Sequence, residues 1–284
     1  MLSISVEEDC SELEKIEISL LLEGIYRYYG HDFRNYVFPS VRRRIIQRCR
    51  LEKCESISEL TNKLLHEPDC MMRLFQDFLI NVTEMFRDPS FFLSFRENVV
   101  PKLRDYEDIR IWHAGCSTGE EAYSMAILLD EEGLYSRSRL YATDINEGYL
   151  ERAREGSYPL AQMKNYTKNY QQAGGKRAFS EYYTVKDGRV RFKSSLSENI
   201  LFAPHNLVTD KSFNEFHVII CRNVLIYFDS TLQKRVQRLF VDSLVSGGFL
   251  GLGRKESIKF SGQAHNYQAI DTRENIFQKV RECF

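Results

Sequence analysis

"IRIWHAGCSTGEEAYSMAILLDE", residues 109–131, decides the fold. Its first six residues are an apolar run of strand length. A tight turn bounded by Gly115 and Gly119 follows, and "EEAYSMAILLDE" has helical length and composition. Strand, glycine turn and helix in this order open many nucleotide-binding sheets. The turn ends in two acids, Glu120 and Glu121, where a phosphate-binding loop would present bare amides. An acid there repels phosphate at the point where the helix dipole should attract it. Gly115 and Gly119 would let the backbone approach a bound ligand closely. Ser117 with Glu120 three residues later also matches a capping box, which needs no ligand. "GCSTG" puts Ser117 in a hydrolase nucleophile's slot, but without an evident histidine–acid pair.

Outward from this unit, short apolar runs alternate with helices: 109–114, 139–145, 200–207, 217–223 and 248–253. That alternation predicts βα units around a mostly parallel sheet, a Rossmann-like α/β domain over 96–284. "NIFQKVR" is a candidate final strand. Residues 156–200 are polar, and Asp187-Gly188 in "YYTVKDGRVRF" separates two alternating arms. This predicts a hairpin and a small antiparallel β insertion. Upstream, residues 11 to about 95 carry helical periodicity, so an all-α N-terminal domain is expected over 1–95. Its first helix places Leu13, Ile16, Leu20 and Ile25 near one face and stops at Gly30. "SVRRRIIQRCRLEKC", "SISELTNKLLHEP" and "DCMMRLFQDFLI" supply three more helices. A fifth starts at "DPSFF", with Asp88 as N-cap and Pro89 in the first turn.

The bulk composition narrows the function. A net charge of −1 argues against general affinity for nucleic acid or an anionic membrane. The acidic N-terminus lacks the apolar stretch of a secretion signal, and no apolar run approaches the ~20 residues of a membrane span. Seven cysteines at scattered spacings form no C-x-x-C pair, which suits reduced thiols in the cytoplasm. The six histidines do not accompany them, so no metal site is expected.

Polar residues recur at the ends of the predicted strands. Asp144 closes "YATDIN", placed to accept both hydroxyls of a ribose or simply to cap the next helix. Asn206 closes the third strand, and Arg222 and Asn223 the fourth. A nucleoside with positive charge and no phosphate suits the acids of the glycine turn, and S-adenosylmethionine is such a ligand. In "LINVTEMFRDPSFF", Asn81 and Thr83 make a polar bend and Arg87 follows. The structural alternative is an ordinary interhelical linker.

In this order and spacing, "NVTEMFRD", "GCSTGEEAYSMA", "YATDIN", "HNL" and "CRNVLIYFD" resemble the chemotaxis-receptor glutamate methyltransferases, the CheR family. With "YYGHDFRNYVFPSVRRRI" the resemblance extends over nearly the whole chain. It implies a helical domain and an S-adenosylmethionine-dependent methyltransferase domain bearing a small β-subdomain. Asn81, Thr83 and Arg87 would contact the cofactor or close its site. Glu120 would lie by the methionine moiety, Asp144 would hold the ribose, and Asn206, Leu207 and Asn223 would line the remainder. The implied reaction transfers methyl to receptor glutamates, giving methyl esters for sensory adaptation. Arg87 and Tyr227 are the candidate catalytic residues, orienting the substrate carboxylate, although Tyr227 also fits simple packing against the next helix.

In "SVRRRIIQRCR", Val41, Ile45 and Ile46 are expected to face the core. Arg44 and Arg48 would then lie outward near Arg43, a solvated face or a dock for an acidic helical receptor segment. The expected partner is the cytoplasmic helical region of chemoreceptors, the expected state a monomer without membrane insertion. A cofactor-binding sensor or scaffold is the competing function, and a methyltransferase acting on a small molecule or RNA is a third. Two departures from the family pattern stand out. "GLGRKESI" replaces a Gly-His-Ser-Glu-like turn, which puts that turn's role in doubt. The direct turn "VKDGRV" replaces a glycine-bearing loop that grips a receptor tail in some relatives, pointing to recognition without such a tail.

Overall fold

The structure, a computed structural model, describes residues 10–79, 82–259 and 261–280. The chain divides into two compact units, Met1–Ile80 with Tyr227–Asp229, and Asn81–Ile226 with Ser230–Phe284. The division lies near residue 80 rather than 95, because Phe91, Phe92 and Phe95 are buried in the core of the second unit.

The first unit holds α1 (Glu12–Tyr29), α2 (Phe38–Leu51), α3 (Ile57–His66) and α4 (Pro68–Phe78). Ser11 caps α1 by accepting from the Glu14 amide, and Gly30 ends it at φ 76°. Ser56 caps α3 through the Glu59 amide. The buried face of α1 is Ile18, Leu21, Leu22 and Ile25. Of the expected face only Ile25 is inside; Leu13 (67% exposed), Ile16 and Leu20 point outward. The polar residues set this rotation. Glu14 accepts from Arg42 of α2 at 2.7 Å, and Glu17 accepts from the Ser58 amide of α3 at 3.1 Å. Tyr227–Asp229 close the unit: Val37 N–H donates to the Tyr227 carbonyl (2.9 Å) and Asp229 N–H to the Asn35 carbonyl (2.8 Å).

The second unit opens with α5 (Pro89–Asn98) and α6 (Val100–Leu103). The sheet elements follow: β1 (Ile109–Ala114), α7 (Glu120–Glu131), β2 (Ser138–Asp144) and α8 (Glu147–Glu155). The insertion carries β3 (Ser157–Pro159), α9 (Met163–Gln172), β4 (Tyr183–Lys186) and β5 (Arg189–Phe192). Then come β6 (Ile200–Pro204), β7 (Phe216–Cys221), α10 (Ser230–Ser243), β8 (Leu244–Leu252), β9 (Tyr267–Asp271) and β10 (Ile276–Lys279). The main sheet runs β6-β2-β1-β7-β8-β10-β9. Its first five strands are parallel, and β10 is antiparallel to both β8 and β9. All six residues of β7, "FHVIIC", are buried, as a strand covered on both faces requires. The chain starts at central β1, moves outward to β2 and β6, and returns to β7 on the other side of β1. That reversal makes a crevice at the carboxyl ends of β1 and β7, the place where open sheets of this kind bind ligands.

The insertion is a three-stranded antiparallel sheet, β3-β5-β4, as expected over 156–200. Asp187 (φ 50°) and Gly188 (φ 70°) form the hairpin turn. Helix α9 within it is not expected from the sequence, because beside Met163 its buried residues, Tyr166, Asn169 and Tyr170, all carry polar groups. Strand β9 was also missed, since only Tyr267 of its five residues is buried.

Candidate active site

Asn81 lies outside the described residues; every other candidate of the cofactor site falls in the second unit. At the end of β1, the amides of Gly115 and Cys116 both donate to the Thr143 carbonyl of β2 (2.8 and 2.9 Å). The turn is therefore drawn against the end of β2. Gly115 (φ 84°) and Gly119 (φ 93°) are required by the protein itself: a Cβ would meet Val224 at 2.5 Å and Ala153 at 2.8 Å. No capping box forms. Helix α7 begins at Glu120 with Gly119 as its cap, and Ser117 at φ 51° instead gives its amide to Asp144 Oδ2 (2.8 Å).

The two acids of the turn have opposite fates. Glu121 faces inward, where Arg222 Nη1 reaches it at 3.0 Å and His113 Nδ1 at 3.1 Å. Burial opposes its ionisation, yet the His113 hydrogen bond and the Arg222 charge hold its carboxyl below the usual range. Glu120 is only 4% exposed and accepts from Thr118 Oγ1 (2.7 Å) and Tyr166 OH (3.4 Å). Among the described residues no cation pairs with it, and burial raises its pKa. It lines a cleft of about 780 Å³ with Thr118, Tyr158, Gln162, Arg152 and Arg189.

Asp144, half-buried at the end of β2, accepts from the amides of Ser117 (2.8 Å) and Asn146 (3.0 Å). Burial raises its pKa too, and the backbone hydrogen bonds only partly offset that. Next to it, the His205 amide donates to the Asp144 carbonyl at 3.1 Å, bringing Asn206 and Leu207 to the same edge. Asn206 Oδ1 accepts from the Val208 amide (2.9 Å), and Leu207 is buried. Asn223 follows β7 at φ 62°.

Residues 82–88 are pinned within this unit. The Phe86 amide donates to Ser124 Oγ of α7 (2.8 Å), and Asn169 Nδ2 of α9 donates to the Met85 carbonyl (3.1 Å). Thr83 is half-buried, and Arg87 donates to the Val82 carbonyl at 2.5 Å. Asp88 makes no side-chain cap on α5; at φ 55° it turns its carboxylate to Arg222 Nη2 at 2.6 Å. Arg222, 7% exposed and stacked 4.3 Å from the Phe91 ring, also donates to the Arg87 carbonyl (2.9 Å). Each partner of Arg222 is thus a neighbour in sequence of a candidate cofactor residue: Asp88 of Arg87, Glu121 of Glu120, and Arg222 itself of Asn223.

Tyr227 falls with the other compact unit. In that unit Arg44 (7% exposed) and Arg48 (8%) are buried, contrary to expectation. Arg48 pairs with Asp77 (2.7 Å) and Glu52 (3.2 Å), and Arg44 donates to the Ser40 carbonyl and hydroxyl. Partners on α4 and the end of α2 make inward arginines tolerable, so Ile46 is left half-buried, and of the arginines in the run only Arg43 and Arg50 are exposed.

The donor set fits a cationic nucleoside. A buried acid without a cation suits an ammonium or sulfonium, and a second acid at the next strand end suits ribose hydroxyls. The all-alpha domain of CheR methyltransferases matches residues 16–79, and their S-adenosylmethionine-binding domain matches residues 81–276. The chain belongs to the CheR methyltransferase family. It is 50% identical to a Pseudomonas putida protein named "Putative methyltransferase Cher3", over 93% of this chain and 97% of that one. It is 31% identical to "Chemotaxis protein methyltransferase 2" of Pseudomonas aeruginosa, over 86% and 84%. It is also 28% identical to an uncharacterised 104.1 kDa Rhodobacter capsulatus protein, matching 88% of this chain and 26% of that one. This CheR-family chain is an S-adenosylmethionine-dependent methyltransferase.

Proposed function

We propose that the enzyme methylates glutamate side chains on the cytoplasmic helices of chemoreceptors. Asp144 ends β2, Asn223 follows β7 and Arg87 is tied to that edge through Arg222, in a chain that matches the family over residues 16–79 and 81–276. That observation carries the proposal, since a scaffold relieved of catalysis would be free to lose them. S-adenosylmethionine supplies a methyl group already activated on a sulfonium. Glu120 would meet the methionine ammonium, Asp144 the ribose hydroxyls, and Asn206, Leu207 and Asn223 the remaining surface, with Asn81 and Thr83 closing it.

A glutamate carboxylate is nucleophilic at neutral pH, so no strong general base is needed. The work is alignment at near-attack distance. Arg87 would hold one carboxylate oxygen and leave the other free. The exposed Arg43 and Arg50, two turns apart on α2, form the stripe on which an acidic receptor helix would dock. Among the described residues no helix is long and apolar enough to cross a membrane.

The test is transfer of labelled methyl from S-adenosylmethionine to receptor-containing membranes, followed by base treatment. Methyl esters release volatile methanol; base-stable label, or none, would overturn the proposal.

A further inference from the structure

The turn after β8, "GLGRKES", keeps the glycine and the acid of the pattern from which it otherwise departs, Gly253 and Glu256. Glu256, 6% exposed, accepts four backbone amides. Its Oε2 takes Gly253 (2.5 Å) and Asn223 (3.1 Å), and its Oε1 takes Val224 and Leu225 (both 2.8 Å). Three of these donors are consecutive and follow β7. Such a run forms a nest suited to an anion, and here the protein supplies the anion itself. The nest begins at Asn223, whose φ of 62° is costly for a residue with a side chain unless its surroundings impose it. The turn bearing Glu256 is itself fixed: Asn275 Nδ2 donates to the carbonyls of Gly253 (2.9 Å) and Glu256 (3.0 Å). Arg254 is held aside by Glu274 at 2.8 Å, so its presence leaves Glu256 seated.

We propose that Glu256 is a positioning residue of the methyltransferase, fixing Asn223 in the conformation that meets the cofactor. This rests on the assignment of Asn223 to the cofactor site. Glu256 lies behind the loop, where its two oxygens are filled by amides. It acts through Asn223 and not by touching the cofactor.

The experiment is a double-mutant cycle read by calorimetric binding of S-adenosylhomocysteine, with thermal unfolding measured alongside. In E256Q one oxygen becomes an amino group that faces amide donors. E256Q and N223A should each raise Kd about tenfold, and the double variant should bind no more weakly than N223A alone. E256D, which keeps the charge on a shorter arm, should recover part of the loss; it replaces E256Q in the cycle if E256Q does not fold. Wild-type affinity in the Glu256 variant, or losses that multiply in the double variant, overturns the role of Glu256. Wild-type affinity in N223A removes Asn223 from the cofactor site and, with it, Glu256's route of action.

Discussion

At Glu120 a carboxylate is held out of water with no paired cation among the described residues, while its neighbour Glu121 is paired with Arg222 and hydrogen-bonded to His113. An acid whose folded pKa is raised costs stability above that pKa, and the cost fades as pH falls toward the unfolded value. E120Q should therefore be more stable than wild type at pH 8, with the advantage shrinking on acidification; urea titrations at several pH values would show it. The same substitution should weaken S-adenosylhomocysteine about tenfold or more, as expected for loss of a charge-assisted hydrogen bond. Binding a cation beside Glu120 favours its ionised form, so wild type should release protons on binding. That release appears as a binding enthalpy that varies with the buffer and should diminish in E120Q. D144A removes the proposed ribose acceptor and should likewise raise Kd about tenfold to a hundredfold; unchanged affinity would remove Asp144 from that role. Both acids were visible in sequence, because an acid after a glycine turn is unusual where phosphate is bound and an acid at a strand end is placed for ribose hydroxyls. The division of labour between Glu120 and Glu121 was not visible. It depends on which side of α7 faces His113 and Arg222, some hundred residues apart in the chain.

Elements at this edge are tied by Arg222 as well as by the loops themselves. Its guanidinium joins the start of α5, the first turn of α7 and the end of β7. Removing one member of such a buried set leaves uncompensated charge, at a cost of about 3–5 kcal/mol. R222M should lose that much in urea unfolding, and E121Q/R222M should regain part of it because one orphan carboxylate is gone. Equal stability of the single and double variants would show that Glu121 finds other compensation. The sequence placed Arg222 at a strand end but assigned it nothing, and it left Glu256 behind a divergent turn. Both act on backbone or charge supplied from distant elements, which periodicity does not encode. The parallel strands of the main sheet, by contrast, were legible, since β1 and β7 are mostly apolar runs of strand length. The faces of α1 and α2 depart from the apolar pattern for one shared reason. Val41 and Ile45 of α2 are buried as expected, but Glu14–Arg42 and Arg48–Asp77 pairs draw polar positions inward and leave Leu13 and Leu20 in solvent.

For the molecule as a whole, the boundary between units is a prediction about truncation. A chain begun at residue 96 lacks Phe91, Phe92 and Phe95, each worth about 3–5 kcal/mol to a core. It should aggregate or show no cooperative unfolding, while one begun at 82 retains these rings and should melt cooperatively. Equal melting of the two would move the boundary back toward 95. The isolated bridge at Phe228 bears on how the protein is made. The first eighty residues leave the ribosome early, but the bridge between Tyr36 and Phe228 waits for chain synthesised much later. At usual synthesis rates of about 5–20 residues per second, that delay is roughly 8–30 s. The helical unit is therefore the first to begin and among the last to finish.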